Sequence, residues 1–181
     1  PAADEIWAKM AAQYDGEDRW YLEALGIGAA GNWDKRLSAY LKLVPDALKS
    51  KAGRDIVWRS RATQTPELLV KIISNPDTPM AELPRYFRGF DFLTGEGRDK
   101  AIVQLAFATT GLPDDRQNLV IAEAVQRVKG FDIGSQPDKL AALIRVLETS
   151  KGTLQYLTLV DRFGLDDRFP EILAAVESAP D

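Results

Sequence analysis

Apolar side chains recur along this chain at intervals of three and four residues, which places them on one face of an α-helix. Several segments show the full i, i+3, i+4, i+7 spacing, among them Leu37/Tyr40/Leu41/Val44, Leu83/Tyr86/Phe87/Phe90 and Leu140/Leu143/Ile144/Leu147. We find no convincing period-2 alternation of the kind that marks a half-buried strand. The pattern therefore predicts an all-α protein.

Helix-start signals divide the chain into short helices. At Thr65-Pro66 and Thr78-Pro79 a threonine is placed to cap a helix whose first residue is proline. All signals together predict about 10–11 helices, with starts near Asp4, Arg19, Trp33, Arg54, Pro66, Met80, Gly97, Asp115, Asp138, Leu154 and Asp167. The interval from one start to the next but one is roughly 30 to 40 residues, which is the length of one two-helix unit in α-solenoids. We therefore expect residues 1–181 to form a single α-solenoid domain of stacked antiparallel helical hairpins.

The 181 residues contain no cysteine and no histidine. Without cysteine there is no disulfide, thiol nucleophile or iron–sulfur cluster, and without histidine there is no imidazole base or His-containing zinc site. The adjacent pairs Asp114-Asp115 and Asp166-Asp167 suit helix starts better than acid/base chemistry. The acidic turn at residues 15–18 lacks the spacing of an EF-hand loop, so a loosely bound Ca²⁺ is only the weaker alternative. We expect no catalytic centre, no cofactor and no metal site.

Residues 26–31, Gly-Ile-Gly-Ala-Ala-Gly, match the dinucleotide-binding pattern G-x-G-x-x-G letter for letter. That chemistry needs a strand before the glycines and a helix after them, so that backbone amides face the pyrophosphate. Leu22, Leu25 and Ala29 are instead spaced as on a helix, and no βαβ units follow. We therefore interpret the glycines as small residues at a close helix–helix contact, with a glycine stop before Asn32. A dinucleotide site is the alternative.

Charge is distributed unevenly along the chain. Residues 1–23 and residues 161–181 each carry two basic and six acidic side chains, whereas residues 35–71 carry nine basic and three acidic ones. The net charge of −4 disfavours a nucleic-acid-binding domain. The simplest interpretation is a solvated surface. The alternative is a site for an anionic ligand, nucleic acid or an acidic partner, made by Arg54, Arg59, Arg61, Lys71, Arg85 and Arg88.

All four tryptophans fall in the first third of the chain. We expect most of them in the core, because a tryptophan buries a large area. Protein interfaces nevertheless favour Trp, Tyr and Arg at their strongest contacts. We therefore predict a partner-binding set of one tryptophan and four arginines, in which the arginines form bidentate pairs with partner carboxylates. The set is Trp58, Arg59, Arg61, Arg85 and Arg88.

The stretch Asp18-Arg19-Trp20, followed by Ala24-Leu25-Gly26, resembles the second helix of a HEAT-like repeat. In that family an Asp and an Arg form side-chain ladders between successive repeats. Asp18 and Arg19 match this pair in order, whereas Arg54 and Asp55 match it in reverse. Residues 18–28 and 53–61 are also similar to a helical segment of large bacterial multidomain proteins, which join dehydrogenase-like propeller, trehalose-utilisation-like and CxxCH haem domains. The resemblance covers residues 4–93, and beyond residue 93 only the helical pattern is similar. Because no CxxCH motif is present, the resemblance implies no haem site.

The resemblance implies a HEAT-like scaffold with an extracytoplasmic, periplasmic location. We expect a non-catalytic module that contacts another protein or a neighbouring domain of the same polypeptide. A carboxylate-based enzyme, with two acids facing one cleft, is a further alternative.

No apolar run reaches the ~18 residues that would suggest a transmembrane helix, so we expect no membrane insertion. The first residues have no signal-peptide character. Because the chain lacks an initiator Met, we expect it to be a segment excised from a larger protein.

Overall fold

In the computed structural model the first helix begins at Ala2. The structure describes residues 2–107, 111–128, 141, 143–144, 146–148 and 151–177. Within these ranges the regular elements are α-helices and short 3₁₀ turns, and no described residue lies in a strand. The prediction of an all-α protein is therefore confirmed.

The helices follow the predicted starts closely. They are α1 (Ala2–Ala11), α2 (Arg19–Ala29), α3 (Trp33–Leu43), α4 (Lys51–Arg59), α5 (Thr65–Ser74), α6 (Leu83–Gly89), α7 (Glu96–Phe107), α8 (Asp114–Val125), α9 (Leu154–Phe163) and α10 (Phe169–Glu177). Short 3₁₀ turns lie at Ala47–Lys49, Met80–Glu82, Phe90–Phe92 and Asp166–Arg168. Residues 141, 143–144 and 146–148 are also helical. The start predicted near Asp138 lies outside the described residues.

Both predicted threonine caps are wrong in detail. Thr65 is the first residue of α5 instead of its cap, and its buried hydroxyl donates a hydrogen bond to Ser60 Oγ at 2.9 Å. Thr78 is also buried, and its hydroxyl donates back to the carbonyl of Ile72 in α5 at 2.7 Å. Each hydroxyl thus bonds a buried partner from the preceding segment, which a local pattern does not reveal.

The chain divides into two compact units, residues 1–101 and residues 102–181. In the first unit α1 packs against α2 and α3, and Trp7 of α1 joins all three. The rings of Trp7 and Trp33 meet edge to face with 5.8 Å between centroids, and the Trp7 indole N–H donates to the Leu25 carbonyl at 3.0 Å. A single repeat domain spanning residues 1–181 stays a prediction.

Contacts in the first unit also join alternate helices. Helix α2 packs on α4, α4 packs on α5 and α6, and α5 packs on α6. Helix α4 also packs closely on the preceding 3₁₀ turn, where glycine is needed because a Cβ at Gly53 would overlap the carbonyl of Ala47. The apolar stripe predicted in α6 lies at the centre of this packing; its members Leu83, Tyr86, Phe87 and Phe90 are fully buried.

The glycine-rich segment at residues 26–31 begins within a helix, as the spacing of Leu22, Leu25 and Ala29 predicts. Gly26 and Gly28 lie within α2, and Gly31 follows the helix with a φ of 74° that favours glycine. A Cβ at Gly26 would overlap the guanidinium of Arg59, which identifies the predicted close contact as one with α4. No strand precedes these glycines, because residues 19–29 form α2 itself.

In the second unit α9 contributes the buried side chains of Tyr156, Leu159 and Val160. Gly164 follows the helix in a left-handed conformation and donates its N–H to a carbonyl of the last helical turn. Among the described residues, no helix has the length and apolar character that crossing a bilayer requires.

A candidate binding cleft lined by helices α2, α4 and α6

A cleft of about 530 Å³ lies in the first unit, where α4 packs between α2 and α6. Its walls are one face of each of these helices and the loop that leads into α2. The lining residues are Tyr14, Gly16, Glu17, Arg19, Leu22, Glu23, Lys51, Asp55, Trp58, Arg85 and Arg88. Clefts of this volume are large enough for a small ligand or for part of a peptide.

Helical spacing explains why these side chains converge. Lys51, Asp55 and Trp58 follow the i, i+4, i+7 spacing of one face of α4. Arg85 and Arg88 are three residues apart on α6. Ser50 is the N-cap of α4, and its hydroxyl accepts a hydrogen bond from the Gly53 N–H at 3.1 Å. The cap and the close packing at Gly53 therefore orient the cleft-lining face of α4.

Asp55 is the buried anion of the cleft, with 2% of its side chain exposed. Its carboxylate lies 3.2 Å from a guanidinium nitrogen of Arg85 and 3.5 Å from the ammonium of Lys51. Tyr14 donates a long hydrogen bond of 3.5 Å to the same carboxylate. Burial raises the pKa of Asp55, and this effect outweighs the opposing attraction of Arg85 and Lys51. Burial, together with the charge of Asp55, also raises the pKa of Tyr14 to about 12.

Arg85 and Trp58 are stacked on each other at the wall of the cleft. The Arg85 guanidinium carbon lies 4.4 Å from the centre of the Trp58 ring, within the range of a cation–π contact. The Trp58 indole N–H is buried and has no hydrogen-bond partner among the described residues. Because Asp55 and Trp58 both hold Arg85, its guanidinium is fixed in position and its charge is already balanced.

Two other arginines of the cleft have no acidic partner. Arg19, at the start of α2, and Arg88, on α6, are both exposed, and neither forms an ion pair or side-chain hydrogen bond in the part of the chain that the structure describes. By contrast, Lys51 also contacts Glu17 at 3.5 Å and the Gly16 carbonyl. The cleft therefore presents two uncommitted cations beside a set of balanced charges.

Of the five residues predicted to contact a partner, the structure brings three into this cleft, namely Trp58, Arg85 and Arg88. Arg59 lies at its margin, where its guanidinium crosses Gly26 and pairs with Glu23 at 3.0 Å. That pair ties the end of α4 to α2, so the charge of Arg59 is committed within the fold.

Arg61 does not line the cleft. Its guanidinium folds back onto the carbonyls of Trp58, Arg59 and Ser60 at 2.6–3.2 Å, and it stacks over the ring of Phe92 at 4.9 Å. Burial and the nearby charge of Arg59 lower the pKa of Arg61. The side chain thus satisfies carbonyls at the end of α4, as basic residues commonly do at helix C-termini.

Arg54, which the charge pattern assigned to a basic patch, is a core residue with 7% of its side chain exposed. Its guanidinium donates to Glu82 at 3.0 Å, to the Tyr86 hydroxyl at 3.1 Å and to the Lys49 carbonyl at 3.0 Å. Tyr86 in turn donates to Glu82 at 2.7 Å. The surface patch is therefore smaller than the sequence suggests, because a charge count does not reveal which cations are buried and paired.

The predicted set missed several residues of the cleft, chiefly Arg19, Lys51, Asp55 and Tyr14. Helical spacing from Trp58 was a usable signal for Asp55 and Lys51, which lie one and two turns before it on the same face. Arg19 and Tyr14 reach the cleft through the packing of α2 against α4, and no local pattern gives that contact.

The cleft places a basic side chain near each of its carboxylates. Two of its three carboxylates, those of Asp55 and Glu23, are within 3.2 Å of a cation, and the third, that of Glu17, is 3.5 Å from one. Among the described residues, no group of three or more Asp, Glu, His or Cys side chains could hold a metal ion. Comparison with protein-family models, with curated proteins and with solved structures gave no match.

Proposed function

We propose that this chain is a non-catalytic helical-repeat module of HEAT-like type that holds another protein, or a neighbouring domain of the same polypeptide. The order of helix contacts supports the repeat. Alternate helices pack together in the pairs α1–α3, α2–α4 and α4–α6, while α1–α2, α4–α5 and α5–α6 pack as adjacent pairs. Contacts between alternate helices are expected when helical hairpins stack side by side, each hairpin contributing one helix to each of two layers.

Charged contacts between α4 and the α6 region also support stacked hairpins. Arg54 of α4 pairs with Glu82, just before α6, and Asp55 pairs with Arg85 within it. Such pairs between successive second helices correspond to the side-chain ladders of HEAT-like repeats. Asp18 has a different role, because its carboxylate accepts hydrogen bonds from the Trp20 and Tyr21 N–H groups and caps α2.

The α2/α4/α6 cleft is the contact surface in this proposal. The observation that carries it is the pair of exposed arginines without acidic partners, Arg19 and Arg88, which line one cleft with Trp58. Arg and Trp are the residue types that contribute most to protein interfaces. A carboxylate-based enzyme fits the cleft less well, because an acid/base pair needs carboxyl groups that are free to exchange protons.

Site-specific photo-cross-linking tests the proposal in the full-length gene product, expressed in its native host. A benzophenone amino acid is placed at position 88 in the cleft, or at position 71 on α5, where Lys71 is exposed and lies outside the cleft. We expect one defined protein or domain to cross-link from position 88, with little or none from position 71. Arg88 itself is lost in that variant, so a second probe at position 17 keeps both arginines. Cross-linking that is absent from positions 17 and 88, or equal from position 71, would contradict the proposal.

A further inference from the structure

The charges that line the α2/α4/α6 cleft nearly balance. Four basic side chains, Arg19, Lys51, Arg85 and Arg88, face three acidic ones, Glu17, Glu23 and Asp55. A surface that binds a nucleic-acid backbone needs a continuous excess of cations, because it replaces the counterions of many phosphates. A nearly neutral cleft is better suited to a ligand with a few separated single charges.

Asp55 divides the cations of the cleft into two classes. Its carboxylate lies within 3.5 Å of both Lys51 and Arg85, so a ligand anion would have to compete with a buried internal one for either of them. Arg19 and Arg88 have no such competitor in the described residues. Arg85 is consequently a positioning residue that orders the Trp58 ring, while Arg19 and Arg88 remain free to bind.

We propose that the cleft binds an acidic peptide segment whose side-chain carboxylates pair with Arg19 and Arg88 and whose intervening apolar side chain packs against Trp58. This inference rests on the proposed function and names the chemistry of the partner. Arginine pairs well with carboxylates because two parallel N–H groups match the two oxygens. Glu23 and Asp55 disfavour the dense charge of a polyphosphate more than two separated carboxylates, because repulsion between like charges grows with their number and proximity.

A titration followed by NMR tests the inference on the whole 181-residue chain. The probe is a capped six-residue peptide that alternates Glu and Leu, and the matched control alternates Gln and Leu. We expect the Glu peptide to shift the indole N–H signal of Trp58, which is assigned by its loss in Trp58→Phe. The Gln peptide is expected to bind at least tenfold more weakly, since a charge-assisted hydrogen bond contributes more than the 1.4 kcal/mol that corresponds to a factor of ten.

Two single variants test the assigned residues. Arg19→Gln and Arg88→Gln are each expected to weaken binding of the Glu peptide about tenfold, whereas Lys71→Gln, at an exposed position of α5 outside the cleft, leaves it unchanged. Arg19 and Arg88 are exposed and unpaired in the described structure, so helix content by circular dichroism should stay at the wild-type level in both variants.

The inference is overturned if the Gln peptide binds as tightly as the Glu peptide, or if both arginine variants bind like the wild type. Tighter binding of a ten-nucleotide single-stranded oligothymidylate overturns it in favour of nucleic acid. Failure of this inference can be told apart from failure of the proposed function. If position 17 or 88 cross-links to a partner but the Glu peptide does not bind, the interaction role stands and the acidic-peptide inference fails. If the Glu peptide binds but neither position cross-links, the cleft recognises acidic peptides and the proposed interaction role fails.

Discussion

Two described sets of ion pairs, one in each unit of the chain, differ in how deeply they are buried. In residues 1–101 the pairs Arg54–Glu82 and Asp55–Arg85 each include a side chain that is nearly inaccessible, with 7% and 2% exposed. In residues 102–181 a surface network joins Lys151 and Arg168 to Glu148 and Glu171, and 21–47% of each of these side chains is exposed.

The difference in burial decides how much each set of ion pairs contributes to the fold. A buried charge must be paired and hydrogen-bonded, so its partners are required for the fold and the geometry around it is specific. An exposed pair is screened by water and salt and contributes little. We therefore expect the buried pairs to specify helix packing and the cleft in the first unit, and the Lys151/Arg168 network to contribute little in the second.

The largest expected effect comes from Arg54→Ala. The substitution leaves Glu82 and the Tyr86 hydroxyl without their guanidinium partner, and we expect the free energy of unfolding to fall by about 3 kcal/mol. Urea denaturation followed by tryptophan fluorescence measures it, because all four tryptophans lie in residues 1–101. The double variant Arg54→Met with Glu82→Leu removes both charges and is expected to lose less than Arg54→Ala. An Arg54→Ala protein as stable as the wild type would show that the buried pair does not determine the packing.

Gly53→Ala tests the close approach that orients α4. A Cβ at position 53 would overlap the backbone carbonyl of Ala47, so the helix or the 3₁₀ turn must move, and we expect a loss of about 2 kcal/mol. Gly97→Ala is the matched control, because Gly97 is also helical and a Cβ there meets no atom within 4 Å. The control should be neutral or more stable by up to about 1 kcal/mol. Equal unfolding midpoints for the two variants in the fluorescence assay would refute the packing argument.

The pH dependence of stability should have opposite signs at Glu82 and Asp55. Burial alone would raise the pKa of Glu82, but hydrogen bonds from Tyr86 and Arg54 outweigh it and hold the folded-state pKa below 4.5. Glu82 therefore contributes stability above pH 4.5 that is lost as the pH falls through its folded-state pKa. Burial holds the folded-state pKa of Asp55 above 3.8, so its contribution is present at low pH and is lost as the pH rises through that pKa.

Urea denaturation of Glu82→Gln and Asp55→Asn between pH 3 and pH 7 measures these signs. Relative to the wild type, the free energy of unfolding of Glu82→Gln should fall as the pH rises, whereas that of Asp55→Asn should rise. Parallel curves for the two variants would contradict the assignment.

The smallest effect is expected for Arg168→Ala in the surface network. Arg168 lies 3.3–3.4 Å from Glu148 and Glu171, yet all three side chains are partly exposed, so we expect a loss below about 1 kcal/mol. Circular dichroism at 222 nm follows the whole chain, and tryptophan fluorescence serves as the control for residues 1–101. A loss above about 2 kcal/mol would show that exposed pairs hold the second unit as buried pairs hold the first.

Local sequence patterns predicted the helices because helix formation depends on neighbours three and four residues away. Arg19, Trp33 and Leu154 are the first residues of their helices, as expected. The same local logic correctly placed the first glycines of residues 26–31 in a helix, where Leu22, Leu25 and Ala29 are all buried on one face of α2. It failed for the Thr65 and Thr78 caps, because their hydroxyl partners are buried groups of the preceding segment.

The sequence by itself determined the all-helical class, the approximate starts of most helices and the residue types available for recognition. Only the tertiary structure decided which cations are free. Arg54, Arg59 and Arg88 are alike in a charge count, yet the first is buried with Glu82, the second is paired with Glu23, and the third is unpaired in the described structure. The physical reason is that the pairing of a charge depends on side chains up to 36 positions away, which helix packing brings within 3.0 Å.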